Sequence, residues 1–157
     1  MELVERYWAG RKQHAYAWRS ILEANARLVF GSDAPVESPA AALGLHAAMT
    51  RERPGHPGSF APEQRIGLDQ ALSAYTEGPA RLSGAWPRLG NLAPGAYADL
   101  VIWDRDLHRT DARHLWNAAP LITFLEGEMV YRQGASPDAK HEPVRDTPVL
   151  AARQGPA

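Results

Sequence analysis

The hydrophobic period changes once along this chain, near Leu89, and that change limits the folds open to it. Before it, apolar residues recur at the three-and-four spacing of helices with one buried face. After it, short apolar runs alternate with turn residues, as in strands. In the first regime Ala15, Trp18 and Leu22, joined by Ala17 and Ile21, predict an amphipathic helix over Arg11–Asn25. Arg27-Leu28-Val29-Phe30 predicts a short strand, stopped by Gly31-Ser32-Asp33-Ala34-Pro35, where glycine and proline end regular pairing. Ser38 as N-cap and Pro39 as first helical residue open a second predicted helix to about Arg51, with Ala42, Leu45 and Met49 on one face. Leu68, Ala71, Leu72 and Tyr75 predict a third, and Gly78-Pro79 breaks it and starts a short fourth through Ser83. The intervening Glu52–Gly67 holds three prolines and three glycines and reads as a surface loop, ordered or mobile. Helix, short loop, strand and polar loop in that order is the pattern of an α/β fold.

In the second regime Asn91-Leu92-Ala93-Pro94-Gly95 is turn-forming, and Ala98–Asp104 predicts a strand with apolar residues on both faces. Leu121–Leu125 and Met129–Arg132 flank Glu126-Gly127-Glu128, where glycine can take the positive φ of a tight hairpin turn. The tail after Gly134 carries four prolines, several charges and no apolar period, so residues 134–157 are expected to be poorly ordered.

Composition narrows the partners. With 157 residues the chain can build one ordinary core, but it is too short for a complete eight-stranded barrel, which takes about 250 residues. A net charge of -1 leaves no global field to recruit nucleic acid or an anionic membrane, so a small neutral or mixed-charge molecule is the expected partner. Cysteine is absent, which removes disulfides, thiolate zinc sites and thiol nucleophiles and fits a cytoplasmic protein. The charged opening lacks the apolar core of a secretory signal, and no run of about 18 apolar residues occurs, so the chain reads as soluble and untargeted.

Any chemistry must therefore come from oxygen and imidazole. A carboxylate directly after a buried strand lies at the strand's carboxyl end, the face on which α/β barrels build active sites, and this makes Asp33 the best single candidate. The competing reading is that Asp33 caps its own turn by bonding N–H groups near Pro35. Six histidines, at 14, 46, 56, 108, 114 and 141, show neither His-x-His nor His-Glu-x-x-His spacing. His46 reads as a surface or partly buried helix residue, and His56 as a solvated loop residue that could alternatively cover a site mouth. Thr50, Arg51 and Arg53 either recognise a substrate carboxylate or form a solvated face. The five tryptophans lack the interleaved basic residues of a nucleic-acid stacking platform and read as packing residues.

Several stretches, in order, resemble the amidohydrolase superfamily, specifically the branch called amidohydrolase family 3. They are Tyr16-Ala17-Trp18-Arg19-Ser20, Phe30-Gly31-Ser32-Asp33-Ala34-Pro35-Val36, Ala71-Leu72-Ser73-Ala74-Tyr75-Thr76, and the run Leu89 to Ile102 with its Pro94-Gly95 and Ala98-Asp99-Leu100-Val101. The hairpin Thr123 to Tyr131 completes the match, which covers roughly residues 4 to 133. The resemblance implies the carboxyl-terminal part of a (β/α)8 barrel over 1–87, with its last helices and final strand, and part of a small β-sandwich over 88–133. It implies hydrolysis of carbon–nitrogen bonds other than peptide bonds in small amide-type substrates, assisted by a divalent metal, zinc foremost. It assigns Asp33 as metal ligand and as the group that shuttles the proton of the attacking water, and Asp99 as a structural residue that bonds turn N–H groups. The family's His-x-His pair, its bridging lysine or carboxylate and its two further histidines have no counterpart here. A chain so equipped is expected to be inactive alone, and either to oligomerise as a non-catalytic module or to work with a separate amino-terminal half.

Overall fold

The structure is a computed structural model that describes residues 6–56 and 58–135. A 3-10 helix, Ala9–His14, leads into α1, Trp18–Glu23. The single helix predicted over 11–25 is thus two pieces. Tyr16, at φ 55°, takes a left-handed conformation between them, and no run of i→i−4 bonds continues through it. The periodicity that suggested one helix survives because Ala15, Trp18 and Leu22 still face inward, Ala15 buried and the other two packed on the core.

Residues 27–30 form no regular element, and no strand pairs with them among the described residues; instead the Phe30 N–H donates to the Ala74 carbonyl at 2.9 Å. α2, Ala41–Thr50, begins later than its sequence suggested. Ser38 Oγ accepts from the Ala40 N–H at 3.3 Å, closing a side-chain turn ahead of the helix rather than capping it. The proline-rich loop is ordered by a bridge between Glu52 and Ser59 and by a 3-10 turn at Pro62–Gln64. Buried Gln64 ties that turn to α1, accepting from the Ser20 N–H at 3.1 Å and donating to Ser20 Oγ at 2.9 Å. α3, Leu68–Tyr75, and α4, Glu77–Leu82, follow as predicted.

The second regime forms an antiparallel sheet in the order β1-β2-β3, with β1 Leu100–Trp103, β2 Pro120–Leu125 and β3 Glu128–Arg132. Glu126 at φ 52° and Gly127 at φ 85° join β2 to β3, the two positive φ values of a two-residue hairpin turn. As the resemblance implied, Asp99 is structural: its Oδ1 accepts from the Glu126 N–H at 2.7 Å. The long connection from β1 to β2 contains a 3-10 helix, Ala112–Asn117, capped by Asp111, whose Oδ1 accepts from the Arg113 N–H at 2.8 Å.

Asp104 pins the two ends of that connection. Its Oδ1 accepts from Arg105 Nε at 2.8 Å and from the Ala119 N–H at 3.1 Å, while Arg105 Nη1 reaches Asn117 Oδ1 at 2.8 Å. The Arg105 hydrogen bond first, and the Ala119 N–H after it, lower the Asp104 carboxyl from 3.8 to about 2. A depressed carboxyl stabilises the fold fully above its unfolded value and loses that contribution as the pH falls through its folded value. An NMR titration of Asp104 should therefore show a midpoint near 2, moving up toward the ordinary range in Arg105→Ala.

The core joins both regimes. Ala42, Leu45 and Ala48 of α2 meet Ile66, Leu68 and Ala71, and Leu107, Leu115 and Ala118 from the β1–β2 connection close over them. Trp18, Phe30, Tyr75 and Trp103 pack around this centre. The sheet is less well covered, with Val101 and Ile102, on opposite faces, 43% and 44% exposed. No helix among the described residues is long and apolar enough to cross a membrane. The tail expected to be poorly ordered lies, from residue 136, outside the described residues.

Candidate functional site

Asp33 sits just beyond the segment 27–30, in a turn that holds it at φ 54° and leaves it exposed. The Val36 N–H donates to the Asp33 carbonyl at 2.8 Å, and the Ala34 N–H donates to Ser32 Oγ at 3.3 Å. The turn is thus capped by Ser32 and not by the Asp33 side chain, contrary to the capping alternative. No hydrogen bond or ion pair reaches the Asp33 carboxylate among the described residues. A left-handed, exposed aspartate with no local partner is a carboxylate presented outward.

The segment behind it is held by packing. Trp18 and Phe30 lie 5.1 Å apart between ring centroids, and Phe30 and Tyr75 meet edge to face at 5.4 Å. Gly78, buried at the start of α4, allows the closest approach, because a Cβ there would collide with the Leu28 carbonyl oxygen. Gly78→Ala is therefore expected to cost about 1–3 kcal/mol, read as a lower denaturation midpoint, by pushing 27–30 off α3 and α4. An unchanged midpoint would show that the segment is not seated there.

The other candidate residues are distributed differently from the sequence expectation. Arg51 is turned into the protein. It is 7% exposed, at φ 61° at the end of α2, with its guanidinium carbon 4.2 Å from the Trp18 ring centroid and its Nε donating to the Phe60 carbonyl at 3.0 Å. Burial pushes its pKa down, with Glu63 and Tyr16 opposing. Thr50 is likewise internal, donating to the His46 carbonyl at 2.8 Å. His46, expected at or near the surface, is 2% exposed. Its companions in the sequence, Arg53 and His56, meet it at a cleft that also takes in Glu52, Arg113 and Trp116. Glu52 was passed over as part of a surface loop, and Arg113 and Trp116 were missed because they approach from about 60 residues further along the chain. Asp33 does not line this cleft, nor the one of about 290 Å³ between Leu22, Leu28 and α3.

A metal centre requires convergence that these residues do not provide. Among the described residues no group of three histidine, aspartate or glutamate side chains could hold a metal ion. Asp69 and His108 pair with each other at 2.9 Å on the surface. Glu77 is engaged by Arg81 and by Ser73 Oγ, and the Arg81 hydrogen bond foremost lowers its pKa. A catalytic zinc takes about three protein ligands and an open position, so one exposed carboxylate does not fit the metal by itself.

Comparison with known proteins gives this arrangement its context. A family model described as amidohydrolase family matches residues 2–131. The chain is 31% identical over 119 residues to the protein LONG AFTER FAR-RED 3 of Arabidopsis thaliana, covering 76% of this chain and 20% of that protein. It is 30% identical over 137 residues to the N-substituted formamide deformylase of Arthrobacter pascens, covering 85% and 25% respectively. A D-phenylhydantoinase of Escherichia coli is 35% identical over 91 residues, 49% of this chain and 18% of the enzyme. The chain thus spans a quarter or less of the length of these relatives. No solved structure matches it. The match runs through the helices, the Asp33 turn and the three-stranded sheet alike, and the chain belongs to the amidohydrolase family.

Proposed function

We propose that this chain supplies Asp33 to the active site of a hydrolase acting on carbon–nitrogen bonds other than peptide bonds, and that the remaining catalytic groups come from polypeptide outside this sequence. The observation that carries the proposal is the Asp33 carboxylate, outward-facing and without a partner among the described residues, on a segment anchored by Ala74, Gly78 and three aromatic rings. In this reading residues up to about 87 are the end of a (β/α)8 barrel, and residues 88–133 are part of a composite β-sandwich. The substrate is a small amide-type molecule, of which the N-substituted formamides and hydantoins in the relatives' names are examples. The protein works in the cytoplasm and engages neither nucleic acid nor membrane.

The chemistry assigned to Asp33 is general base and then general acid. Water attacks the amide carbon and gives its proton to the Asp33 carboxylate; as the carbon–nitrogen bond breaks, the carboxylic acid returns that proton to the leaving nitrogen. A divalent cation, zinc foremost, would polarise the carbonyl and lower the pKa of the water, with most of its ligands lying outside this chain.

The test is elemental analysis of the purified chain after zinc incubation and dialysis, paired with hydrolysis assays on an N-substituted formamide and a hydantoin. The expected result is far less than one zinc per chain and no turnover, both restored by a separately supplied amino-terminal, histidine-bearing half. About one zinc per chain, lost in Asp33→Ala, would overturn the reading. A second reading, an oligomerising module without catalysis, is favoured by the sheet, where Leu125, Val130 and Tyr131 are 55%, 52% and 45% exposed beside Val101 and Ile102. A monodisperse monomer by light scattering at high concentration would count against it.

A further inference from the structure

At the carboxyl-terminal end of α2, a cleft of about 250 Å³ opens between the loop from Glu52 to His56 and the 3-10 helix Ala112–Asn117. His46 lines it from α2 while remaining 2% exposed. Its Nδ1 lies 3.0 Å from the Ala112 carbonyl oxygen, and because a carbonyl only accepts, Nδ1 carries a proton. In the neutral ring, Nε2 then holds a lone pair. Its only polar contact among the described residues is Thr50 Oγ1 at 3.4 Å, and the single hydroxyl proton of Thr50 is committed to the His46 carbonyl at 2.8 Å. On this cleft-lining ring Nε2 thus has a single long contact, at 3.4 Å, and its lone pair can take a donor from a ligand.

The rest of the lining is cationic and aromatic. Glu52 engages Arg113 through Nε at 3.5 Å and Arg65 through Nη2 at 3.7 Å. An arginine held by Nε can still offer its terminal nitrogens as a fork. Arg53, on the same cleft, makes no side-chain bond among the described residues. Two guanidinium groups against one carboxylate leave the cleft net positive. Trp116, 42% exposed, supplies a flat apolar surface.

We propose that this cleft binds a small aromatic carboxylate that also carries a hydroxyl or N–H group. Arg53 and Arg113 take the carboxylate, Trp116 takes the ring, and His46 Nε2 accepts from the donor. The volume of about 250 Å³ admits a single ring with its substituents and lies just below the range of drug-sized ligand sites, which starts at about 300 Å³. Because Asp33 does not line the cleft, the proposal is independent of the catalytic reading.

The test is titration calorimetry on the purified chain with 3- and 4-hydroxybenzoate, with benzoate lacking the donor and 4-hydroxybenzyl alcohol lacking the anion. One of the hydroxybenzoates is expected to bind saturably at one site, with benzoate at least fivefold weaker and the alcohol at least tenfold weaker. Arg113→Met, at a side chain 71% exposed, should weaken binding at least tenfold without moving Tm, and Arg53→Met should act likewise. Asp33→Asn should leave binding unchanged. Absence of saturable binding, or affinity indifferent to both arginine substitutions in folded protein, would overturn the site. Equal affinity for benzoate and the hydroxybenzoates would overturn the role given to His46.

Discussion

Leu115→Ala is expected to lower stability by about 2–5 kcal/mol, the range for deleting a large aliphatic side chain from a well-packed core. Leu115 is 0% exposed and belongs to the 3-10 helix that closes over α2. Its neighbours in the core include Ala42, Leu45 and Ala48 of α2 together with Leu107 and Ala118 of its own connection. Three of those five are alanines, so little nearby bulk can collapse into the hole. Chemical denaturation should show a lower midpoint at an unchanged slope. Leu92→Ala, at a position 77% exposed, is the control and should stay within about 0.5 kcal/mol. A Leu115→Ala effect as small as the control's would mean that the β1–β2 connection does not share a core with the helices.

The second large effect concerns chemistry. In the complex with a histidine-bearing half, Asp33→Asn is expected to reduce hydrolysis about 10²- to 10⁴-fold, the usual contribution of a positioned acid–base group. The same substitution should leave stability within about 0.5 kcal/mol. Asparagine tolerates the left-handed conformation as readily as aspartate, and no hydrogen bond to the Asp33 carboxylate exists among the described residues to be lost. This separation is the point of the experiment. Activity that survives Asp33→Asn would remove Asp33 from the reaction, and a large loss of stability would return it to a structural role.

The residues differ in how far their roles could be read before the fold was known. α3 was legible because Leu68, Ala71, Leu72 and Tyr75 satisfy one helical face within eight residues. The hairpin was legible because Gly127 follows Glu126 between two apolar runs, and a tight turn needs positive φ at that point. The break at Tyr16 was not, since a single left-handed residue leaves the spacing of Ala15, Trp18 and Leu22 intact. The 27–30 segment read as a strand from composition, but a strand exists only with a partner, and here its neighbours are α3 and α4.

Asp33 could be singled out from local order alone, because a strand-like run followed by a glycine- and proline-bounded turn places the next carboxylate at the run's end. The His46 cleft could not. Nothing local relates His46 to Trp116, and Arg51, which looked like a ligand-binding cation, is instead enclosed by Trp18, Phe60 and Tyr16.

What the sequence by itself determined is therefore local and periodic: two helical faces, a hairpin, a turn that presents one carboxylate, and the family. Which polar side chains are buried, and which cations face a cleft rather than an aromatic ring, was decided by the tertiary structure. The physical reason is that burial and charge pairing depend on which distant segments pack against a residue, and these are set when Leu107, Leu115 and Ala118 close over α2.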